Sequence, residues 1–110
     1  MHVKVKNRIA IIEFENGKEK ITHASIIEDL IKCLNLGFKT FVFDFKCVDI
    51  SFNSMVSGFI ITAIKKLMDI DSCVILKNIR NEDYEMLKIF GIDQFDKNKL
   101  TIIYNDDKLC

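Results

Sequence analysis

The first residues of the chain have the pattern of two β-strands joined by a tight turn. Apolar residues alternate with polar ones from His2 to Lys6, Asn7 interrupts the alternation, and a β-branched run extends from Ile9 to Phe14. The pair Asn16-Gly17 comes next and favours a turn, because both residues tolerate positive φ angles. We expect a β-hairpin here, and a change of chain direction after Gly17.

A first helix is predicted before Gly37. Its apolar residues recur at i, i+3, i+4 and i+7 after two candidate N-cap residues: Ile27, Leu30, Ile31 and Leu34, with Thr22 or Ser25 as the cap. Glycine readily adopts the left-handed conformation that ends a helix, so Gly37 is the expected stop.

The strongest helical periodicity lies between Ser54 and Met68. One stripe of apolar residues runs through three turns: Val56, Phe59, Ile60, Ala63, Ile64 and Leu67. A further helix is expected from Glu82 to Phe90, because acidic residues occupy its first turn, Lys88 lies near its end and Gly91 follows.

Three more strands are predicted between these helices, at Phe38–Phe45, Ser72–Lys77 and Leu100–Tyr104. In the first of them Phe41, Val42 and Phe43 form a continuous apolar run, which is typical of a central strand covered on both faces. Asp44 interrupts this run as a strand-end carboxylate near a functional loop or as a structural acid with hydrogen-bond partners.

The order β-β-α-β-α-β-α-β predicts an α/β fold: a mixed sheet of four to five strands with about three packed helices. The 110 residues are too few for a second core, so residues 1–110 are expected to form one domain. The predicted core consists of Val42, Phe43, Phe59, Ile60, Ala63, Ile64, Val74 and Leu87.

Composition excludes several classes of function. Sixteen basic residues balance sixteen acidic ones, so the chain lacks the basic surface that direct nucleic-acid binding requires. The apolar stretch Phe59–Ile64 is far shorter than the roughly 20 residues of a membrane span. Ile9–Ile12 is too short for the core of a secretory signal, which indicates a cytoplasmic protein.

The four cysteines and two histidines show no pattern of a metal or redox site. No C-x-x-C pair or zinc spacing occurs, so we expect no metal, no cofactor and reduced thiols. Neither histidine belongs to a recognisable catalytic motif, and no glycine-rich phosphate loop is present. The sequence therefore favours a protein that is not an enzyme, with an uncharacterised enzyme or a thiol-redox protein that uses Cys47 as the remaining alternative.

The segment from Phe41 to Ile60, FVFDFKCVDISFNSMVSGFI, resembles the core of a STAS domain. Members of that family, such as the bacterial anti-sigma factor antagonists, run from a central apolar strand through a short loop with an Asp-Ser pair into a Gly-containing helix. The later segments CVILKNI, EDYEML and FGIDQF are similar to the next strand, helix and apolar-Gly-apolar-Asp loop of the family. The resemblance covers nearly the whole chain, although the family's final helix is not evident after Tyr104.

The resemblance implies a binding module that sequesters a histidine-kinase-like anti-sigma factor, which acts as a serine kinase. That kinase would phosphorylate the module, and a serine phosphatase would reverse the modification. Counting back from the helix assigns the phosphoacceptor to Ser54, with Asn53, Met55 and Ser57 on the docking surface. Whether the chain also forms a homodimer is left open.

Three alternatives remain for this site. Counting forward from Val48 keeps Ser51 as a candidate acceptor, and Ser54 also fits an ordinary helix N-cap. Asn53 stands where the family has an aspartate, which favours a STAS-like scaffold or transport-associated subunit that is never phosphorylated.

Overall fold

The computed structural model describes residues 2–13, 28, 30–33, 35–45 and 54–105. Its elements follow one another as β1 His2–Lys6, β2 Ile9–Glu13, β3 Thr40–Asp44, α1 Ser54–Asp69, β4 Cys73–Ile79, α2 Asn81–Ile89, a 3₁₀ helix Ile92–Gln94 and β5 Leu100–Tyr104.

The strands form a five-stranded mixed sheet in the order β1-β2-β3-β4-β5. β1 pairs antiparallel with β2, and the other neighbouring strands pair in parallel. The hairpin turn consists of Asn7 and Arg8 with φ angles of 52° and 65°, as a two-residue turn that matches the strand twist requires. The predicted α/β class and the predicted hairpin are therefore confirmed.

The predicted ends of the elements agree closely with the structure. α1 begins at Ser54, and β5 spans Leu100–Tyr104, as the sequence pattern predicts. Gly37 and Gly91 have φ angles of 86° and 96°, in the left-handed region that favours glycine at the ends of helices. In the described part of the chain, no helix is long and apolar enough to cross a membrane.

The core lies between the sheet and the helices. Of the predicted core residues, six are fully buried: Phe43, Ile60, Ala63, Ile64, Val74 and Leu87. Val42 and Phe59 are only partly buried, so their placement in the core was wrong. Phe41 and Phe45 are fully buried instead. Phe59 packs against the edge of the core from α1.

The prediction that β3 is covered on both faces was also wrong. Burial alternates along β3, with Phe41 and Phe43 buried and Val42 and Asp44 partly exposed. The described helices pack on the face that carries the two phenylalanines. Val42 belongs to the opposite face, called the open face below, whose apolar side chains are half-buried by their neighbours on adjacent strands.

The first predicted helix is described only in part. Residues 30–33 are helical, with Leu30 and Cys33 buried. Ile31 is 50% exposed, so it does not belong to the buried stripe in which the periodicity placed it. The remaining residues of this prediction lie outside the described residues, together with the predicted turn after β2: Thr22, Ser25, Ile27, Leu34, Asn16 and Gly17.

Candidate functional site

The carboxyl ends of the parallel strands meet at one edge of the sheet, here called the carboxyl edge. β2 and β3 end side by side there, with Glu13 opposite Asp44. The helix of a strand-helix-strand crossover runs back against the strands, so α1 starts at this edge and ends at the other. The carboxyl edge of an open α/β sheet is where ligands and partners usually bind. It is therefore the first place to look for a site around Ser54.

A chain of hydrogen bonds joins the ends of three strands at the carboxyl edge. The side-chain amide of Asn105 donates to Oδ1 of Asn78 over 3.1 Å. The amide of Asn78 in turn donates to Oδ1 of Asp44 over 2.8 Å. The Asp44 carboxylate is thus a structural acid with a defined partner, and it also lies directly before the segment that leads to Ser54.

Asn78 owes its position to a local irregularity in β4. The register between β4 and β5 shifts between Lys77 and Ile79, and Asn78 has a φ angle of 63°. Asparagine tolerates this left-handed conformation better than most residues. At this irregularity the side-chain amide of Asn78 bonds to residues at both neighbouring strand ends.

An ion cluster marks the start of α2 beside this edge. Arg80 contacts Glu82 through Nη1 at 3.2 Å and Asp83 through Nε at 3.3 Å. The Asp83 side chain is only 2% exposed, and its position in the first turn of α2 suits the positive end of the helix dipole. The sequence showed acidic residues in this turn but gave no sign that one of them is buried.

Ser54 is exposed as the first residue of α1. The first turn of the 16-residue helix contains no acidic residue, and Lys66 lies in the last turn. The helix dipole and the first N–H groups of a helix stabilise an anion, so a phosphate on Ser54 would experience no repulsion from the first turn. An exposed hydroxyl in this position can accept a phosphoryl group.

The other predicted site residues differ in their placement. Met55 is the second residue of α1, and Ser51 and Asn53 lie outside the described residues. Ser57 is fully buried, and its Oγ has no hydrogen-bond partner among the described residues. Its side chain therefore cannot contribute to an exposed docking surface beside Ser54.

The open face of the sheet carries a shallow depression of about 400 Å³. Partly apolar and partly charged side chains line it: Lys4, Ile9, Ile11, Glu13, Val42, Asp44, Ile75, Lys77 and Ile103. Lys4 Nζ lies 2.9 Å from Glu13 Oε1 across the hairpin, and this hydrogen bond and the carboxylate charge raise the pKa of Lys4. The described residues that line the depression include no hydroxyl group and no histidine.

A polar contact near β5 was not predicted from the sequence. The hydroxyl of Tyr84 donates to Oδ1 of Asp93 over 2.7 Å. This hydrogen bond, together with partial burial, raises the pKa of Tyr84 to about 12. The rings of Tyr84 and Tyr104 meet edge to face with centroids 5.7 Å apart.

The thiols show no paired arrangement in the described part of the chain. Cys33 is buried and Cys73 is exposed, and neither forms a disulfide. No group of three or more histidine, cysteine, aspartate or glutamate side chains there could hold a metal ion. Cys47, the thiol considered for a redox role, lies outside the described residues.

Sequence comparisons identify no relative, since no family model and no curated protein matches the chain. Solved structures do match. One is a chain from a structure of the stressosome, which is described as a signal integration and transduction hub. It matches with a TM-score of 0.72 at 16% identity, and the match covers 97% of this chain and 90% of that one. The protein TM1081, solved by NMR, has a TM-score of 0.71 at 19% identity, with 94% and 78% covered.

A serine-to-glutamate variant of RsbS from Moorella thermoacetica is also similar, with a TM-score of 0.67 at 15% identity over 97% of this chain and 88% of that one. The fold that the STAS resemblance predicts is thereby confirmed over nearly the whole chain. At these identities the comparisons establish the fold.

Proposed function

We propose that this chain is a protein-binding regulator of the STAS type, whose binding to an anti-sigma factor serine kinase is switched by phosphorylation of Ser54. The observation that carries the proposal is an exposed serine at the first residue of α1, in a fold shared with RsbS and a stressosome chain. In this proposal residues 1–110 form one cytoplasmic domain, and the chain itself catalyses no reaction.

The switch follows from the electrostatics of the helix start. The unmodified hydroxyl of Ser54 can be covered by a partner at little cost. A phosphate brings a charge of about −1.5 to −2, which loses its hydration when a partner covers it. The helix start stabilises such an anion by only about 0.3–2 kcal/mol, so desolvation of the charge weakens the complex. A serine phosphatase would restore binding.

The docking surface is proposed around the start of α1. Asn53 and Met55 flank Ser54 in the sequence, and for this reason they are included in the proposed surface. Ser57 is omitted because its side chain is buried. ATP would bind to the kinase and not to this chain.

The test combines partner capture with phosphate mapping. The chain is used to isolate the kinase from the cytosol of the source organism, ATP is added, and mass spectrometry locates the phosphate. We expect one phosphate, on Ser54, and release of the kinase. Ser54→Ala should stay bound with or without ATP, and Ser54→Asp should bind less well.

Ser57→Ala is the matched control, because it removes a hydroxyl of the same helical turn that a kinase cannot reach. It should be phosphorylated and released like the wild type. A phosphate on Ser51 would move the acceptor to the preceding segment. A kinase that binds but transfers no phosphate would support the unphosphorylated scaffold, with Asn53 as the residue to restore to aspartate.

A further inference from the structure

We propose that the open face of the sheet is a dimerisation surface, at which two copies of this chain pack face to face with their strands nearly parallel. This surface lies on the side of the sheet away from the described helices, and the proposal does not depend on phosphorylation of Ser54. It rests on the exposure of the open face, on the arrangement of its apolar and charged side chains, and on the way in which a two-fold rotation pairs these charges.

The strand pairings divide the open face into rows, because paired residues of neighbouring strands point to the same side of a sheet. The middle row is mainly apolar and runs from β2 to β5 through Ile11, Val42, Ile75 and Thr101. The next row toward the carboxyl edge is mainly charged and runs in the same order through Glu13, Asp44, Lys77 and Ile103. The open face therefore combines an apolar centre with a border that carries both signs of charge.

Both rows are accessible to a partner. Lys77 and Thr101 are exposed, and Ile103 is 45% exposed although its side chain is large and apolar. The depression of about 400 Å³ is lined by residues of both rows. Apolar side chains that contact water gain free energy when a partner covers them, so this face favours association.

The charges on the open face complement those of a second copy. A two-fold axis that runs along the strands between β3 and β4 places β3 over β4 of the second copy and leaves each residue in its row. Asp44 then faces Lys77 of the second copy, and the same pair forms again on the other side of the axis. Opposite charges alternate around the axis, which is an attractive arrangement. This self-complementarity favours a second copy as the occupant of the face.

The Asp44 carboxylate can take part in this arrangement without losing its bond inside the sheet. Its Oδ1 accepts the hydrogen bond from the Asn78 amide. A carboxylate has two oxygens with about four lone-pair sites in total, so a lysine of the second copy can be accepted as well.

The apolar side chains fit the same register. Val42 faces Ile75 of the second copy, and the reverse contact lies across the axis, so four β-branched side chains meet at the centre. Sheets pack about 10 Å apart through such side chains, with strand directions within about 30° of each other. Other axes are less favourable: an axis through β3 places Asp44 opposite Asp44, and one between β2 and β3 places Glu13 opposite Asp44.

The size of the overlap sets the expected strength of the dimer. The four overlapping strands, β2 to β5, are spaced about 4.8 Å apart and rise about 3.3 Å per residue, so they cover roughly 300 Å² on each copy. A stable interface buries about 800 Å² on each partner. We therefore expect a weak, reversible dimer with a dissociation constant between roughly 10 µM and 1 mM.

Charge reversal at Lys77 tests this register against a matched control. Lys77→Glu places glutamate opposite Asp44 of the second copy on both sides of the axis. Lys6→Glu makes the same change of charge on the same face, because Lys6 pairs with Ile9. In this register, however, β1 lies outside the four overlapping strands. Both lysines are exposed, so both variants should fold, which circular dichroism and urea denaturation check.

Sedimentation equilibrium at protein concentrations up to about 1 mM gives the dissociation constant of each form. We expect a wild-type dimer, a dissociation constant raised roughly tenfold or more by Lys77→Glu, and a change of less than about twofold with Lys6→Glu. Added sodium chloride should weaken the wild-type dimer and strengthen the Lys77→Glu dimer. Salt screens an attraction in the first case and a repulsion in the second.

Thr101→Asp tests the register at a second exposed position, and it decides the matter if Lys77→Glu does not fold. Position 101 faces Ile11 of the second copy, so an aspartate there would be covered without a charge partner, and the dimer should weaken at least tenfold. A wild type that stays monomeric up to about 1 mM would overturn the proposal. So would a dimer that neither Lys77→Glu nor Thr101→Asp weakens, or one that Lys6→Glu weakens as much as Lys77→Glu does.

Discussion

Asn78 and Asp44 are 34 residues apart in the sequence, and a 2.8 Å hydrogen bond from the Asn78 amide to the Asp44 carboxylate fastens the end of β4 to the end of β3. Asn78 also accepts a bond from Asn105 after β5. The side chain of Asn78 therefore links the ends of three strands at the carboxyl edge, from which the chain continues toward Ser54.

Replacing Asn78 should destabilise the fold through two separable effects. Asn78→Ala loses the hydrogen bond to a carboxylate. It also places alanine, which tolerates a positive φ less well than asparagine, at a φ angle of 63°. We therefore expect the free energy of unfolding to fall by about 2–4 kcal/mol. Asn78→Gly loses the same bonds without the φ strain and should cost less. Urea denaturation measures both. An Asn78→Ala protein as stable as the wild type would show that the bond contributes nothing.

The sequence predicted this region only in part. A run of apolar residues locates β4, and asparagine is a common residue in left-handed positions. Whether Asn78 takes that conformation depends on the register shift against β5 and on an acceptor that the chain brings close only after folding. Periodicity within one segment carries no information about such partners.

The burial of β3 shows a second limit of the sequence pattern. Phe41, Val42 and Phe43 are all apolar, and a continuous apolar run fits two covered faces as well as one. In the structure Val42 lies on the open face between Ile11 and Ile75, its paired residues on the adjacent strands. β-branched neighbours half-bury one another there, and none of the described helices packs above them, so residue type alone did not separate the two faces.

Alanine substitutions at two adjacent residues of α1, Phe59 and Ile60, should differ in their effect on stability. Ile60 is fully buried and Phe59 only partly. Ile60→Ala should cost about 2–5 kcal/mol of unfolding free energy, the range for a buried isoleucine. Phe59→Ala should cost roughly half of the 3–5 kcal/mol of a buried phenylalanine. Chemical denaturation gives both values, and a larger loss at Phe59 than at Ile60 would contradict the observed orientation of α1.

The Tyr84–Asp93 hydrogen bond makes the stability of the fold depend on pH in the alkaline range. Folding raises the pKa of Tyr84 from 10.0 to about 12, mainly because the protonated hydroxyl donates to the carboxylate. The stabilisation is therefore complete below pH 10 and is lost as the pH rises from there through about 12. The chain has two tyrosines, so the absorbance of a Tyr104→Phe variant reports Tyr84 alone.

In that variant the phenolate should form only near pH 12, or on unfolding. In Tyr84→Phe the free energy of unfolding should fall less at alkaline pH than in the wild type. Urea denaturation at a series of pH values measures this difference. Titration of Tyr84 at its ordinary pKa in the folded protein would exclude the hydrogen bond.

The buried hydroxyl of Ser57 should reduce stability, and its removal should increase it. Within the part of the chain that the structure describes, Ser57 Oγ is fully buried in α1 without a hydrogen-bond partner, and Ser72 Oγ before β4 is in the same situation. An unsatisfied buried polar group costs about 1–3 kcal/mol, and alanine leaves only a small void while favouring the helix. We expect Ser57→Ala to raise the free energy of unfolding by about 0.5–2 kcal/mol.

Ser54→Ala is the control for the Ser57→Ala experiment. Ser54 is exposed, and the same change there deletes a hydroxyl already in contact with water, so stability should change by less than about 1 kcal/mol. Urea denaturation of the two variants separates a hydroxyl inside the core from one at the surface. If Ser57→Ala destabilised the protein instead, the Oγ of Ser57 would have a hydrogen-bond partner in the folded protein.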